Sequence, residues 1–300
     1  MPVGPRYGPT GPDTLLLLRS EFTRVERVMG KERAQQVFNE NNGIFDNGWY
    51  HGPKTGKVHV GYEATTLYTP DELSRLMPLP GNGDLPKIEV VEGTTGDTGR
   101  RLAKKTGGHV ALLNFASAKN AGGGYVRGTK AQEEDLCRCS LLYHALKEQP
   151  GYYRANRKCG TNLYTDHMIY TQGASFFRAD GTYNLLDAED VVKLDVITAP
   201  APNAGAAMEG PAEAETALRR RAGYVLAVAA SRGVSDLVLG AWGCGVFRND
   251  PEMVADAFGH WLESDGFRGA FKRVVFAIYA QSLPGQVNLE VFRRRFAEVG

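Results

Sequence analysis

Three consecutive glycines, Gly122, Gly123 and Gly124, nearly close the segment Asn114-Phe-Ala-Ser-Ala-Lys-Asn-Ala-Gly-Gly-Gly-Tyr125. With no Cβ atoms, such a bend lets main-chain N–H groups approach a ligand closely, and phosphate or ribose is the chemistry that suits it. Ser117 and Asn120 lie in the same segment and count with it as candidate ligand contacts. Seven residues beyond the glycines, Gln132-Glu133-Glu134-Asp135 reads as the opening of a helix. Adjacent helical side chains diverge by about 100°. Glu133 and Glu134 therefore suit a division of labour in which one moves a proton and the other orients a sugar. A third segment, Gly240-Ala-Trp-Gly-Cys-Gly-Val-Phe247, follows an apolar run; Gly243 and Gly245 would let main-chain N–H groups wrap a phosphate, and Phe247 could hold a ribose. Val196-Ile-Thr-Ala-Pro-Ala-Pro-Asn203 ends another strand in a stiff proline turn that could border the same crevice.

Each feature also has a plainer reading. A glycine triplet can be a bend with no ligand, acidic residues in a first turn complement the helix dipole, and Trp242, Val246 and Phe247 can be core packing. Their conjunction is what points to a site. The acid role carries a physical difficulty, because a helix N-terminus lowers a carboxyl pKa whereas a general acid needs it raised. A neighbouring carboxylate, partial burial and an anionic substrate each push the other way, so protonation assisted by a bound diphosphate is expected. Elsewhere the chemistry thins out. The six histidines show no HxH or HExxH spacing, the four cysteines form no C-x-x-C pair, and no metal site is expected. Cys244 reads as a small filler, since no motif sets a His beside it. The runs Arg219-Arg220-Arg221 and Arg293-Arg294-Arg295 read as solvated helix faces.

The elements that must position these segments follow from periodicity. An amphipathic helix is expected from a cap at Asp13 through Leu18, Phe22 and Val25 to Asn41-Asn42-Gly43, and a strand-like piece over Lys57 to Val60. The Pro/Gly stretch from Pro78 to Pro86 marks a boundary between a helical extension with its linker (1–86) and a catalytic region (87–300), the two making one compact unit. From Lys87 strands alternate with helices. Strands are expected over Ile88–Val91, His109–Phe115, His167–Thr171, Ser175–Arg178, Val192–Thr198, Asp236–Gly240 and Arg273–Tyr279. Helices are expected over Thr98–Lys105, Gln132–Lys147, Glu213–Ser231 and Pro251–Glu263, and near Val291. This is α/β grammar: a mixed sheet with helices on both faces and ligands beyond the carboxyl ends of the strands. The 300 residues carry 35 Lys+Arg against 34 Asp+Glu, so no net field draws the molecule onto nucleic acid or a membrane, and a polyanion must be met by a local site. No apolar run is long enough to span a bilayer and no signal peptide is evident, so a reducing cytoplasm is the expected home.

Taken together, GGG, seven intervening residues and QEE resemble the signature of the poly(ADP-ribose) glycohydrolases, in particular their compact bacterial-type branch. Leu113-Asn-Phe-Ala-Ser-Ala118, the 196–203 stretch and Gly240-Ala-Trp-Gly-Cys-Gly-Val-Phe-Arg-Asn-Asp-Pro251 are similar to that branch as well. The resemblance is strongest over residues 88 to 280. It implies a macrodomain-like mixed β-sheet sandwiched between helices, with ADP-ribose across its crest. It also implies hydrolysis of ribose–ribose bonds in poly(ADP-ribose), without cofactor or metal, and a part in the DNA damage response. By motif position Glu134 would be the acid/base and Glu133 would position the ribose hydroxyl. Gln132 and Gly122 to Gly124, with Ser117 and Asn120, would surround the distal ribose and diphosphate. Gly243, Cys244, Gly245 and Val246 would cradle phosphate, with Phe247 against the ribose and Ala199 at the border. The turn Glu92-Gly93-Thr94-Thr95 maps to the adenine side, where Tyr279 offers a stacking face. That turn lacks the aspartate many macrodomains place there. The partners implied are poly(ADP-ribose) or ADP-ribosylated proteins, bound by a monomer. Two other functions fit the glycine segments: a non-catalytic ADP-ribose reader, which has no need of QEE, and a hydrolase of mono-ADP-ribosylated protein.

Overall fold

Along the central strands, successive apolar residues go to opposite faces, and that alternation builds the fold. The computed structural model describes residues 30–77, 81 and 83–297. Helix α1 (Lys31–Asn47) leads into a two-stranded hairpin of β1 (Trp49–His51) and β2 (Lys57–His59), then β3 (Ala64–Tyr68) and α2 (Pro70–Arg75). There follow β4 (Lys87–Glu92), α3 (Thr95–Thr106), β5 (Val110–Phe115), α4 (Gln132–Cys139), α5 (Leu142–Lys147) and α6 (Pro150–Lys158). The chain continues through β6 (Met168–Phe176), β7 (Val192–Ala199), α7 (Pro211–Ser231), β8 (Asp236–Leu239), α8 (Pro251–Leu262), β9 (Arg273–Ile278) and α9 (Leu283–Phe296).

Seven strands form one sheet in the order β3-β6-β7-β5-β8-β9-β4. The five from β7 to β4 are parallel, while β6 is antiparallel to both of its neighbours. In β5, Ala111 and Leu113 join the core under α7, α8 and α9, whereas Val110 and Leu112 join the core under α1, α3 and α4. The same split recurs in β9, where Val274, Phe276 and Ile278 face one way and Val275 and Ala277 the other. Helices therefore cover both faces, as the alternation of elements predicts. Because the five central strands are parallel, the loops after β4, β5, β7, β8 and β9 all leave from one edge. That edge carries the candidate site.

Several boundaries differ from the sequence reading for identifiable reasons. The helix expected over Gln132–Lys147 is two helices. Ser140 leaves helical geometry to bridge Phe176, and its hydroxyl donates to the Leu136 carbonyl (2.7 Å) while accepting from the Leu142 amide (3.1 Å). The two strands expected at 167–171 and 175–178 are one, β6, with an irregular register across Gly173, whose φ is 62°. The glycine marks a bulge rather than a break. Helix α1 runs past Asn41-Asn42-Gly43 to Asn47, where Gly48 ends it in left-handed geometry; the part expected from Asp13 to Met29 lies outside the described residues. Strand β3, within the segment read as extension and linker, forms an edge of the main sheet through β6. Helix α6 was not expected from the sequence.

Asn41 ties α1 to the site side of the molecule. Buried, it donates to the Tyr125 hydroxyl (3.1 Å) and the Arg138 carbonyl (3.0 Å), and it accepts from Arg178 Nε at 2.8 Å. Replacing Asn41 by Ala leaves buried donors and acceptors unsatisfied. The variant should unfold about 2–4 kcal/mol more easily, seen as a melting temperature roughly 4–10 °C lower in a thermal scan.

Candidate active site

The segment after β5 folds over the first turn of α4, and Gly123 is where they meet. A Cβ on Gly123 would lie 2.5 Å from Glu134 Oε1 and 2.9 Å from Glu133 Oε2, and the residue's φ of 58° is left-handed. Only glycine fits there on both counts. The two carboxylates leave the helix in different directions, yet an oxygen of each converges on this one position. Both are buried, with Glu133 3% and Glu134 6% exposed.

Their hydrogen bonds differ. Glu133 accepts from the Ser117 amide (2.7 Å), from Asn114 Nδ2 (3.4 Å) and from the Gly122 backbone. Glu134 Oε1 accepts from the Gly124 amide at 2.7 Å. The Gly123 amide donates to the Asn120 carbonyl at 3.0 Å. The three glycine N–H groups that the sequence offered to a ligand are thus engaged within the chain, two of them by the carboxylates. Burial pushes the Glu133 carboxyl up to about 8, the nearby Glu134 adding to the rise against the opposing Ser117 hydrogen bond. At this residue burial outweighs the helix terminus.

Gln132 is likewise bound internally. Its amide nitrogen donates to the Leu113 carbonyl (2.8 Å) and to Thr95 Oγ1 (3.1 Å), and its oxygen accepts from the Phe115 amide (2.8 Å). It fixes the start of α4 against the end of β5. Ala199 is fully buried, and its carbonyl accepts from the Ala116 amide and from Trp242 Nε1, both at 3.2 Å. Its contribution is to pin three loops together, since no part of its side chain reaches a surface.

Beside this pair opens a cleft of about 400 Å³, lined by Thr94, Thr95, Gln132 and Tyr279 together with Asp135 and Asp180. That is ample for part of a nucleotide, small-molecule sites spanning roughly 300–1,000 Å³. Ser117, Asn120, Gly122 to Gly124, Glu133, Glu134 and the 243–247 segment do not line the cleft. In the 243–247 segment Gly243 has φ 75°, and a Cβ there would meet Asn249 Nδ2 at 2.3 Å. The N–H groups of Gly245, Val246 and Phe247 donate to no acceptor among the described residues. Val246 is 88% exposed, and Cys244, mostly buried, has its thiol pushed up to about 12 by burial. Phe247 rests on Tyr164, with ring centroids 5.9 Å apart.

The sequence reading missed Asp180 and Tyr183, which arrive from the turn after β6. Asp180 accepts from the Thr94 hydroxyl and, at 3.0 Å, from the Asp97 amide, so it helps cap α3 while facing the cleft; burial raises its pKa. Tyr183 donates to Asp135. One local signal exists only in three dimensions: the three non-glycine residues with left-handed φ among the described residues are Tyr164, Tyr183 and Arg248. The first packs on Phe247, the second lines the cleft and the third follows Phe247 in the chain. Such strain costs about 1–3 kcal/mol per residue and gathers at functional sites.

A pair of buried carboxyls beside a nucleotide-sized cleft, on loops at the carboxyl edge of a mixed sheet, is an arrangement suited to a carboxylate glycosidase. A family model for the catalytic domain of microbial-type poly(ADP-ribose) glycohydrolases matches residues 40–179. The poly(ADP-ribose) glycohydrolase of Thermomonospora curvata is 38% identical, superposes with a TM-score of 0.81, and the match covers 88% of this chain and 100% of that one. The same enzyme bound to the inhibitor ADP-HPD matches equally, at 38% identity and a TM-score of 0.81. The poly(ADP-ribose) glycohydrolase of Deinococcus radiodurans in complex with ADP-ribose is 44% identical, with a TM-score of 0.72, and the match covers 79% of this chain and 95% of that one. No curated protein matches the sequence. The chain belongs to the microbial-type poly(ADP-ribose) glycohydrolase family.

Two outcomes follow. Gly123→Ala should retain the fold but lower turnover by about 10²-fold or more, as expected when catalytic groups are displaced by an ångström; initial rates alongside circular dichroism would check this. The folded Glu133 carboxyl, at about 8, lies above its ordinary value of 4.5. Its stabilising contribution is therefore complete below the ordinary value and is lost as pH rises through about 8. Thermal midpoints should fall less between about pH 5 and pH 9 in Glu133→Gln than in the parent chain.

Proposed function

We propose that the chain hydrolyses the ribose–ribose O-glycosidic bonds of poly(ADP-ribose) to release ADP-ribose, with Glu134 as acid/base and Glu133 as the group that holds the ribose hydroxyl. The observation that carries this reading is the environment of Glu134: nearly water-free, with Oε1 held by the Gly124 amide and Oε2 bonded to no group among the described residues. Cleavage passes through an oxocarbenium-like state, so the leaving oxygen must gain a proton while the ribose is held still. In this reading Glu134 Oε2, left unengaged, gives that proton and then takes one from the attacking water. Glu133, which burial holds protonated at neutral pH, adds no negative charge that would repel an anionic substrate.

Substrate placement follows from the same geometry. The unengaged N–H groups of Gly245, Val246 and Phe247 suit the diphosphate. Thr94, Thr95, Asp180 and Tyr279 give the cleft a polar wall and an aromatic face for the adenosine end. The Deinococcus relative is in complex with ADP-ribose, which supports ADP-ribose as the ligand class. A reader of ADP-ribose would gain nothing from burying two carboxyls at such cost. Among the described residues no helix is long and apolar enough to cross a membrane, and all four cysteines are free, which supports a reducing, cytoplasmic setting.

Incubation with defined polymer should yield free ADP-ribose. Glu134→Ala should lower the rate by about 10²–10⁴-fold while ADP-ribose affinity, measured by calorimetry, stays within about threefold. Near-normal turnover in that variant would rule out the assignment, and release from mono-ADP-ribosylated protein alone would shift the substrate.

A further inference from the structure

The loop that embraces the carboxyl pair also carries a cation that the chemistry above leaves unused. Lys119 is exposed and follows Ser117, the residue whose amide holds Glu133, by two positions. Its ammonium lies 5.9 Å from the centroid of the Tyr164 ring, and Tyr164 in turn packs on Phe247. Arg157, exposed on α6, donates to the Lys119 carbonyl and so brings a second cation to the same place. Arg154 and Lys158 share the exposed face of α6, whose other face buries Tyr152, Tyr153 and Asn156.

The charge at this place is not neutralised. Among the described residues none of Lys119, Arg154, Arg157 and Lys158 joins an ion pair, whereas Arg219, Arg220 and Arg221 of the first arginine run are all paired with carboxylates. The chain as a whole is nearly balanced, at +1. A local cluster of unpaired cations therefore makes a local positive potential, and it adjoins Glu133 through Ser117. None of these residues lines the cleft, whose own lining includes Gln132 and Phe115. The cations thus lie on a different surface from the cleft.

Resting on the glycohydrolase reading, we propose that Lys119 and Arg157 form a subsite for the diphosphate of the adjoining ADP-ribose unit, the one whose ribose hydroxyl is the leaving group. A bond between two units has a diphosphate on each side. The unit being released occupies the cleft and the Gly245–Phe247 amides. The other must leave past the carboxyl pair, on the side where Lys119 and Arg157 are joined and exposed. Charge complementarity and continuity with the site select this occupant. The subsite would act on binding of polymer and leave the bond-breaking step alone.

The test compares polymer with an aryl O-glycoside of ADP-ribose, which has the same anomeric bond but no second diphosphate. For Lys119→Ala/Arg157→Ala, KM for polymer should rise about tenfold with kcat within about twofold. The salt dependence of that KM should weaken, and the constants for the aryl glycoside should match the parent chain. Lys119→Arg/Arg157→Lys should restore the polymer KM. An unchanged polymer KM would overturn the subsite. Equal losses on both substrates would do so too, because they would mean the loop, not the charge, was disturbed. A parent chain that cleaves neither substrate would overturn the glycohydrolase reading, and the subsite with it; cleavage of both by the parent separates the two questions.

Discussion

Two carboxyl groups held out of water within reach of one backbone position set the terms for everything around them. Burying such groups is costly unless donors meet them, and here the donors are main-chain N–H groups from the loop that also closes over them. The loop can come that close only because position 123 has no side chain. The carboxyls require the glycines, and the glycines have their amides occupied by the carboxyls or by the loop itself. It follows that anion binding has to be supplied elsewhere. The unengaged N–H groups after β8 are one such resource among the described residues.

The rest of the fold keeps that loop and that helix start from drifting. Gln132 clamps α4 to the end of β5 with two hydrogen bonds and to Thr95 of α3 with a third, and the Ala199 carbonyl joins the loops after β5, β7 and β8 at a fully buried point. Helix α1 reaches the same region from the opposite end of the sequence through Asn41. Parallel strands bring the loops to one edge, and these hydrogen bonds set their spacing.

Much of this was legible in the residues, because its signals are local. Three glycines, an acidic first turn and strands alternating with helices are short-range patterns, and the sheet sandwiched between helices follows from them. What stayed hidden depends on distant partners. Nothing local says that Ser140 will leave its helix to meet Phe176, nor that Gly173 is a bulge inside a strand rather than its end. Asp180 illustrates the point for the site: the turn after β4 lacks an aspartate, and one arrives beside it from the turn after β6, 83 residues from the Asp97 amide that it caps. The glycine amides are a further case: the sequence offered them to a ligand, and in the fold they meet Glu133, Asn120 and Glu134.

The central claim is spatial, and a crystal structure of the chain with ADP-ribose bound tests it most directly. The anomeric oxygen of the distal ribose should lie within about 3 Å of a Glu134 carboxyl oxygen, a hydrogen-bond distance, with the diphosphate at the Gly245–Phe247 amides. A ribose lying against Asp135 and Asp180, with water between it and Glu134, would contradict it.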